Sequence, residues 1–412
     1  MIPLKIPSRI RRLADRISDV KGDVYIAGGS VRDHLLNIPS KDIDLEVHGV
    51  SHEQMNIILQ EFRPFKAVGK SFGVWKLLPF KNNELEIDVA LPHHDGHIAP
   101  DIGVTEACKR RDLTINAMLI HVQTQMLVDI FGGQQDLTNR ILRATDPQHF
   151  AADLLRVFRV CQFTARLQCS MSPELHQLCL ELTQQTDFAE LPKERVWIEL
   201  EKGWLKSTDP SIAVESLLRL NALQNYFPEF ATLSTPKQQR MIERLKKGSH
   251  FRDPENRGRT MGLFWALLTF DLSVEDTKLT MERMGIEKYL GFPLIQALLS
   301  SKKCAPMLIN SHSTVVQNLC REHFDIHFLC DVASSIEAPE IEYNHSEANR
   351  TEAQQRGIIE TPLPNIVSGR DLLALGYKGV ELGKWLHKIR LEQLHERIQS
   401  KSEALQWIQE NQ

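Results

Sequence analysis

Near residue 150 the hydrophobic period of this chain changes, and that change limits its fold more than any other feature. Up to about residue 145 short apolar runs, among them "VYIA", "DIDLEV", "SFGVWKLLPF", "LEIDVALP", "LTINAMLIHV" and "MLVDIF", alternate with helix-like stretches. Runs of four to eight apolar, β-branched residues bounded by turn formers read as strands, and "KNNE" reads as a hairpin turn between the third and fourth. Beyond residue 150 the segments "DLLRVFRVCQFTARL", "ERVWIELEKGWLKS", "SIAVESLLRLNAL", "KQQRMIERLKKG", "GLFWALLTF" and "EALQWIQE" repeat every 3.6 residues. The pattern predicts an α+β chain: a small sheet domain over 1–145, then helical segments over 146–235 and 236–412. Turn formers mark linkers near 144–149, 234–238 and 359–365.

The densest chemistry lies in "VYIAGGSVRDHLLNIPSKDIDLEV", residues 24–47. A strand ends at Gly28–Gly29, where the backbone must turn or let a ligand come close. "SVRDHLL" then reads as a helix start with Ser30 as a candidate cap. Free N–H groups and the positive dipole end at such a start suit phosphate, and Arg32 adds a forked donor. "DIDLEV" reads as the next strand, so Asp42 and Asp44 share one face, roughly 7 Å apart. Carboxylates so placed can bridge Mg²⁺ ions for in-line displacement at phosphorus. A phosphate cradle followed by metal-binding carboxylates points to nucleotidyl transfer.

Composition narrows the class without choosing a partner. At 42% hydrophobic and 25% charged residues the 412-residue chain is expected to fold as globular domains. No run approaches a membrane span, so no membrane partner is expected, and "MIPLKIPSRIRRLADR" lacks the apolar centre of an export signal. The seven cysteines form no CxxC pair and are expected as buried free thiols in a reducing cytoplasm. With 49 basic against 53 acidic residues the formal charge is −4, so nucleic-acid binding has to rest on local patches.

Two further segments carry candidate site residues. "CKRRDLTINAM" brings Arg111, Asp112 and Asn116 close in sequence; Asp112 and Asn116 share a helical face if the segment is helical, offering partners for ribose hydroxyls. The bland reading is an N-capped helix with a basic lead-in. "ADLLRVFRV" places Asp153 and Arg156 at i,i+3, with Arg159 one turn on. That pair is either a helical salt bridge or an acceptor–donor match to the Watson–Crick edge of cytosine and adenine, which uracil and guanine reverse. Asp88 is a candidate third carboxylate with Glu86 on the same strand face, and structural neutrality is the alternative for both. His93, His94 and His97 lack a partner cluster for zinc and read as a loop. His323 and His327, at i,i+4, read as ordinary helix residues.

In this order the motifs resemble the class II tRNA nucleotidyltransferase (CCA-adding enzyme) and bacterial poly(A) polymerase family. The resemblance runs from about residue 24 to 202 and returns more weakly in "VSGRDLLALGYKGVELGKWLHKIR". It implies a polymerase β-like head followed by a helical neck, body and tail. It also implies template-independent addition of C and A to the 3′ end and acceptor arm of tRNA, from CTP and ATP, with two Mg²⁺. By resemblance Gly29 and Arg32, with Gly28 and Ser30 in the same turn, contact the triphosphate, and Asp42 and Asp44 hold the metals. Arg111, Asp112 and Asn116 serve the incoming nucleotide, notably its ribose. Asp153, Arg156 and Arg159 read the base and support the phosphates, and Arg195 helps fix head and neck around the base-reading helix. The chain departs from the family at Ala152, usually Glu, at Gln162, usually Arg, and at His93, also usually Arg. "GLFWALLTFDL" lacks the His-Asp pair of relatives with a phosphohydrolase domain, so no phosphatase activity is expected. The motifs leave open an enzyme adding only A, or a poly(A) polymerase. A silent RNA-binding protein is the alternative from another class, and intact Asp42, Asp44 and Arg32 argue against it.

Overall fold

A computed structural model describes residues 6–39, 42–68, 73–79, 86–94, 97–336, 345–359 and 361–411. The chain divides into two compact units, one formed by 1–191 with 216–226 and the other by 192–215 with 227–412.

The first unit is built on a seven-stranded sheet. Its strands are β1 (Asp23–Ala27), β2 (Asp42–His48), β3 (Phe65–Ala67), β4 (Val74–Leu77), β5 (Glu86–Ala90), β6 (Leu119–His121) and β7 (Leu127–Val128), in the spatial order β3-β4-β5-β2-β1-β6-β7. β2 and β5 run parallel and every other neighbouring pair is antiparallel. The expected β4–β5 pairing is present, while its "KNNE" turn lies outside the described residues. Alternation does the sorting on β2: Ile43, Leu45 and Val47 are buried, and Asp42, Asp44 and Glu46 take the opposite face. The helix Ser8–Ser18 buries Ile10, Leu13, Ala14 and Ile17, which recur at helical spacing.

The helix Arg156–Leu167 belongs to this unit and buries Val157, Phe158, Val160 and Cys161. Phe158 stacks on Phe188 at 5.6 Å and meets Tyr226 edge-on at 5.5 Å. Offset and edge-on rings of this kind add about 0.5–1.5 kcal/mol each beyond simple burial.

The second unit is helical apart from one two-stranded ladder among the described residues. The helix Arg257–Thr269 is buried nearly all round, and its Trp265 packs edge-on against Trp204 at 5.1 Å. Asp331, 1% exposed, is paired with Arg259 and with Arg350 at 2.7 Å. A buried carboxylate persists only with such partners. The C-terminal helices form a small core of their own around Leu372, Tyr377, Trp385 and Ile389.

All seven cysteines are free and buried, as expected. No helix among the described residues is long and apolar enough to cross a membrane. His93–His94 pairs with His97–Ile98 in a short antiparallel ladder; Asp95 and Gly96 between them lie outside the described residues. His323 ends one helix and His327 sits in the next, because Phe324 is extended between them, so the i,i+4 spacing is not helical.

Candidate nucleotidyl-transfer site

The site grows from the turn after β1. Gly28 adopts φ 61° and ψ −123°, a conformation other residues enter only under strain, and it caps the helix Gly29–Leu35. Ser30 is not the cap. Its hydroxyl accepts from the Asp44 amide at 3.1 Å and lies 3.4 Å from the Asp42 carbonyl, pinning the helix start to β2. The glycine turn and the two aspartates are thereby held together.

Asp42 and Asp44 are reached by solvent on one strand face. The β2–β5 register sets Asp44 opposite Asp88 and Asp42 opposite Glu86, so four acidic side chains project from adjacent parallel strands. Partial burial raises the Asp44 pKa, and the carboxylates of Asp88 and Asp42 raise it further against the pull of Arg111 and Arg32. Asp88 is likewise raised by burial and by Glu86 and Asp42, with Lys76 3.8 Å away opposing. One Asp88 oxygen is buried without a hydrogen bond among the described residues. Crowded carboxylates with an unsatisfied oxygen suit a cation. No group of three His, Cys, Asp or Glu side chains among the described residues closes on one point. Paired carboxylates on one strand face are hard oxygen donors of the kind a divalent cation takes, its shell completed by water and phosphate oxygens.

Behind this face runs a buried hydrogen-bond chain. Arg32, 4% exposed, donates to Asp33 Oδ1 at 2.8 and 2.7 Å and to Asn116 Oδ1 at 2.5 Å. The Asn116 amide donates to Asp112 Oδ1 at 3.0 Å, and Arg159 Nε donates to Asp112 Oδ2 at 2.8 Å. Burial works to raise the Asp112 pKa, but Arg159 and the hydrogen bonds from Asn116 and the Leu113 amide bring it below the usual range. Asn116 is oriented by this chemistry: its oxygen meets an arginine and its nitrogen a carboxylate. Asp112 and Asn116 converge through the short 3₁₀ turn Thr114–Asn116 and not through a regular helix. Phe163 underlies the arginines, with its ring 5.0 Å from Arg32 and 5.8 Å from Arg159.

The expected Asp153–Arg156 helical pair takes a different form. The helix begins at Arg156, and Asp153 precedes it in a turn, its carboxylate accepting from the Leu155 amide at 3.2 Å. Arg156 donates to the carbonyls of His149 at 2.6 Å and Arg110 at 2.9 Å. Burial lowers its pKa, offset in part by Asp112 and Asp153. Arg156 therefore fastens the "CKRRD" segment to the helix that carries Arg159. Among the departures, Gln162 is 2% exposed and accepts from Arg166, whose guanidinium lies 5.5 Å from the Phe163 ring. An arginine thus still reaches this patch, from four residues further on. Arg195 is exposed on the helix Lys193–Leu205, within the second unit. In the sequence Asp33, Glu46 and Phe163 carry no signal of a site, since each looks like an ordinary helix or strand residue.

Residues 24–143 match the model of the Poly A polymerase head domain. The chain is 33% identical over 326 residues to the Multifunctional CCA protein of Dechloromonas aromatica, covering 76% of each. It belongs to the class II CCA-adding family. The Multifunctional CCA protein of Actinobacillus pleuropneumoniae is 34% identical over 272 residues, which span 60% of this chain and 63% of that relative. Among solved structures, a CCA-adding enzyme in complex with CTP matches at TM-score 0.73 with 23% identity, over 98% of this chain and 96% of that one. The Thermotoga maritima CCA-adding enzyme complexed with tRNA matches at TM-score 0.69 with 22% identity, over 99% and 96%. These two likenesses establish the family fold along nearly the whole chain.

Proposed function

We propose that the chain is a template-independent nucleotidyltransferase that builds or repairs the CCA 3′ end of tRNA from CTP and ATP. The observation that carries this reading is the pinning of the Gly28–Gly29 turn to Asp42 and Asp44 through Ser30, backed by the Arg32–Asn116–Asp112–Arg159 chain. Asp42 and Asp44 would hold two Mg²⁺, which supply charge neutralisation and Lewis acidity at the α-phosphate and the departing pyrophosphate. Gly28, Gly29 and Ser30 shape the turn that receives the triphosphate, with Arg32 beneath it. Arg111, Asp112 and Asn116 position the nucleotide, and the tRNA 3′ hydroxyl displaces pyrophosphate at the α-phosphorus. The protein's own contribution is orientation and fixed electrostatics.

Base choice falls to Asp153 and Arg156, with Arg159 supporting the phosphates. Reading a base exchanges the Arg156 bonds to the His149 and Arg110 carbonyls for bonds to the ring nitrogen, while Asp153 accepts from the exocyclic amine.

The decisive experiment supplies purified protein with tRNA ending before the first C, after one C or after CC, and each nucleoside triphosphate separately. The expected result is C on the first two ends and A on the third. Incorporation of A alone, or no incorporation, overturns the reading.

A further inference from the structure

Three acidic residues, Asp42, Asp44 and Glu46, share one face of β2, yet the third is occupied differently. Glu46 Oε2 accepts from Arg111 Nη2 at 2.6 Å, and Glu46 Oε1 lies 2.9 Å from His48 Nε2. The other ring nitrogen of His48 is 3.1 Å from the Ile102 carbonyl. His48 is 7% exposed and the Glu46 side chain 13%, so both are largely shielded from water. The Arg111 guanidinium is wedged on its far side as well: Nη1 donates to the Asn116 carbonyl at 3.4 Å. A Cβ on Gly28 would come within 2.8 Å of the same Nη1.

We propose that Glu46 is a positioning residue for nucleotide binding, acting through Arg111. This rests on the reading of Arg111 as a nucleotide contact. A lone arginine keeps the rotamer freedom of a long flexible side chain, which binding must remove each time. A charge-assisted bond from Arg111 to Glu46, whose other oxygen lies against the buried His48 ring, removes that freedom beforehand. Arg111 also neutralises the third carboxylate of the β2 face. Gly28 then serves two ends: it makes the turn, and its missing side chain leaves room for the fixed guanidinium.

The test is a double-mutant cycle read by equilibrium binding of CTP, with Mg²⁺ present and no tRNA. Glu46→Gln is expected to raise Kd about tenfold, since a neutral amide holds the guanidinium more weakly. Arg111→Ala raises Kd at least as far, and adding Glu46→Gln to it has no further effect, because Glu46 then has nothing to position. Single-nucleotide addition shows a raised KM with kcat within threefold of wild type. Should Glu46→Gln fail to fold, Glu46→Asp runs the same cycle; it keeps the charge but withdraws it by one methylene. An unchanged Kd in the single variant, or the same tenfold loss in the Arg111→Ala background, overturns the proposal. Absence of CTP binding in the wild type would sink the nucleotidyltransferase reading instead.

Discussion

Replacing Asp112 with asparagine tests the hydrogen-bond chain that joins the sheet to the Arg156–Leu167 helix. Asp112 is 7% exposed and accepts from the Leu113 amide at 2.9 Å, from Asn116 at 3.0 Å and from Arg159 at 2.8 Å. Asparagine keeps the shape but has one acceptor where the site needs two, so its amide meets either Arg159 or the Leu113 and Asn116 donors. Breaking a fully buried ion pair costs roughly 3–5 kcal/mol. The Arg159 side chain is 32% exposed, and water recovers part of that, leaving about 2–3 kcal/mol. The pH dependence follows from the Asp112 pKa lying below its usual 3.8. A depressed acid stabilises the fold above the unfolded value, and that contribution is lost as pH falls through the folded one. The gap between wild type and Asp112→Asn should therefore be full at pH 5–7 and narrow below about pH 4. Urea unfolding at pH 7, 5, 4 and 3, followed by hydrogen exchange in peptides covering 105–125, measures it. Equal stability at pH 7, or a gap that persists undiminished to pH 3, refutes the reasoning.

Three other outcomes are expected. Asp42→Ala or Asp44→Ala abolishes nucleotide addition while tRNA binding in a filter assay survives, because phosphate contacts elsewhere supply RNA affinity; normal turnover in either removes the metal assignment. Asp153→Arg weakens ATP and CTP use and leaves UTP and GTP less disfavoured, since mispaired buried groups cost about 1–3 kcal/mol each; unchanged selectivity across the four triphosphates makes Asp153 a turn residue only. Gly28→Ala costs about 1–3 kcal/mol of backbone strain and weakens CTP binding, whereas Gly132→Ala, at φ 73° with nothing within 4 Å of its Cβ, destabilises without touching CTP affinity; thermal melts with a CTP titration separate the two.

Much of the head was legible in the sequence because its signals are local. The strand–glycine–helix–strand unit over 24–47 follows from β-branched runs and the glycine pair, and period-2 alternation alone places Asp42 and Asp44 on one face. The 3.6-residue period beyond residue 150 likewise agrees with the helices found there, and the absence of CxxC pairs agrees with seven free, buried cysteines. What tertiary structure decided involves partners distant in sequence. Asp88 stands opposite Asp44 only because β5 adds parallel to β2, a pairing no local propensity specifies. Ser30 has the residue type of a cap, but the approach of β2 gave its hydroxyl a better partner in the Asp44 amide. Asp153 and Arg156 have helical spacing, yet the helix starts at Arg156, where its guanidinium bonds the His149 and Arg110 carbonyls. Glu46 looks like one more charge on a strand until the fold delivers Arg111, 65 residues away, to within 2.6 Å of it. Backbone geometry sets which face a side chain takes, and long-range packing sets what it meets there.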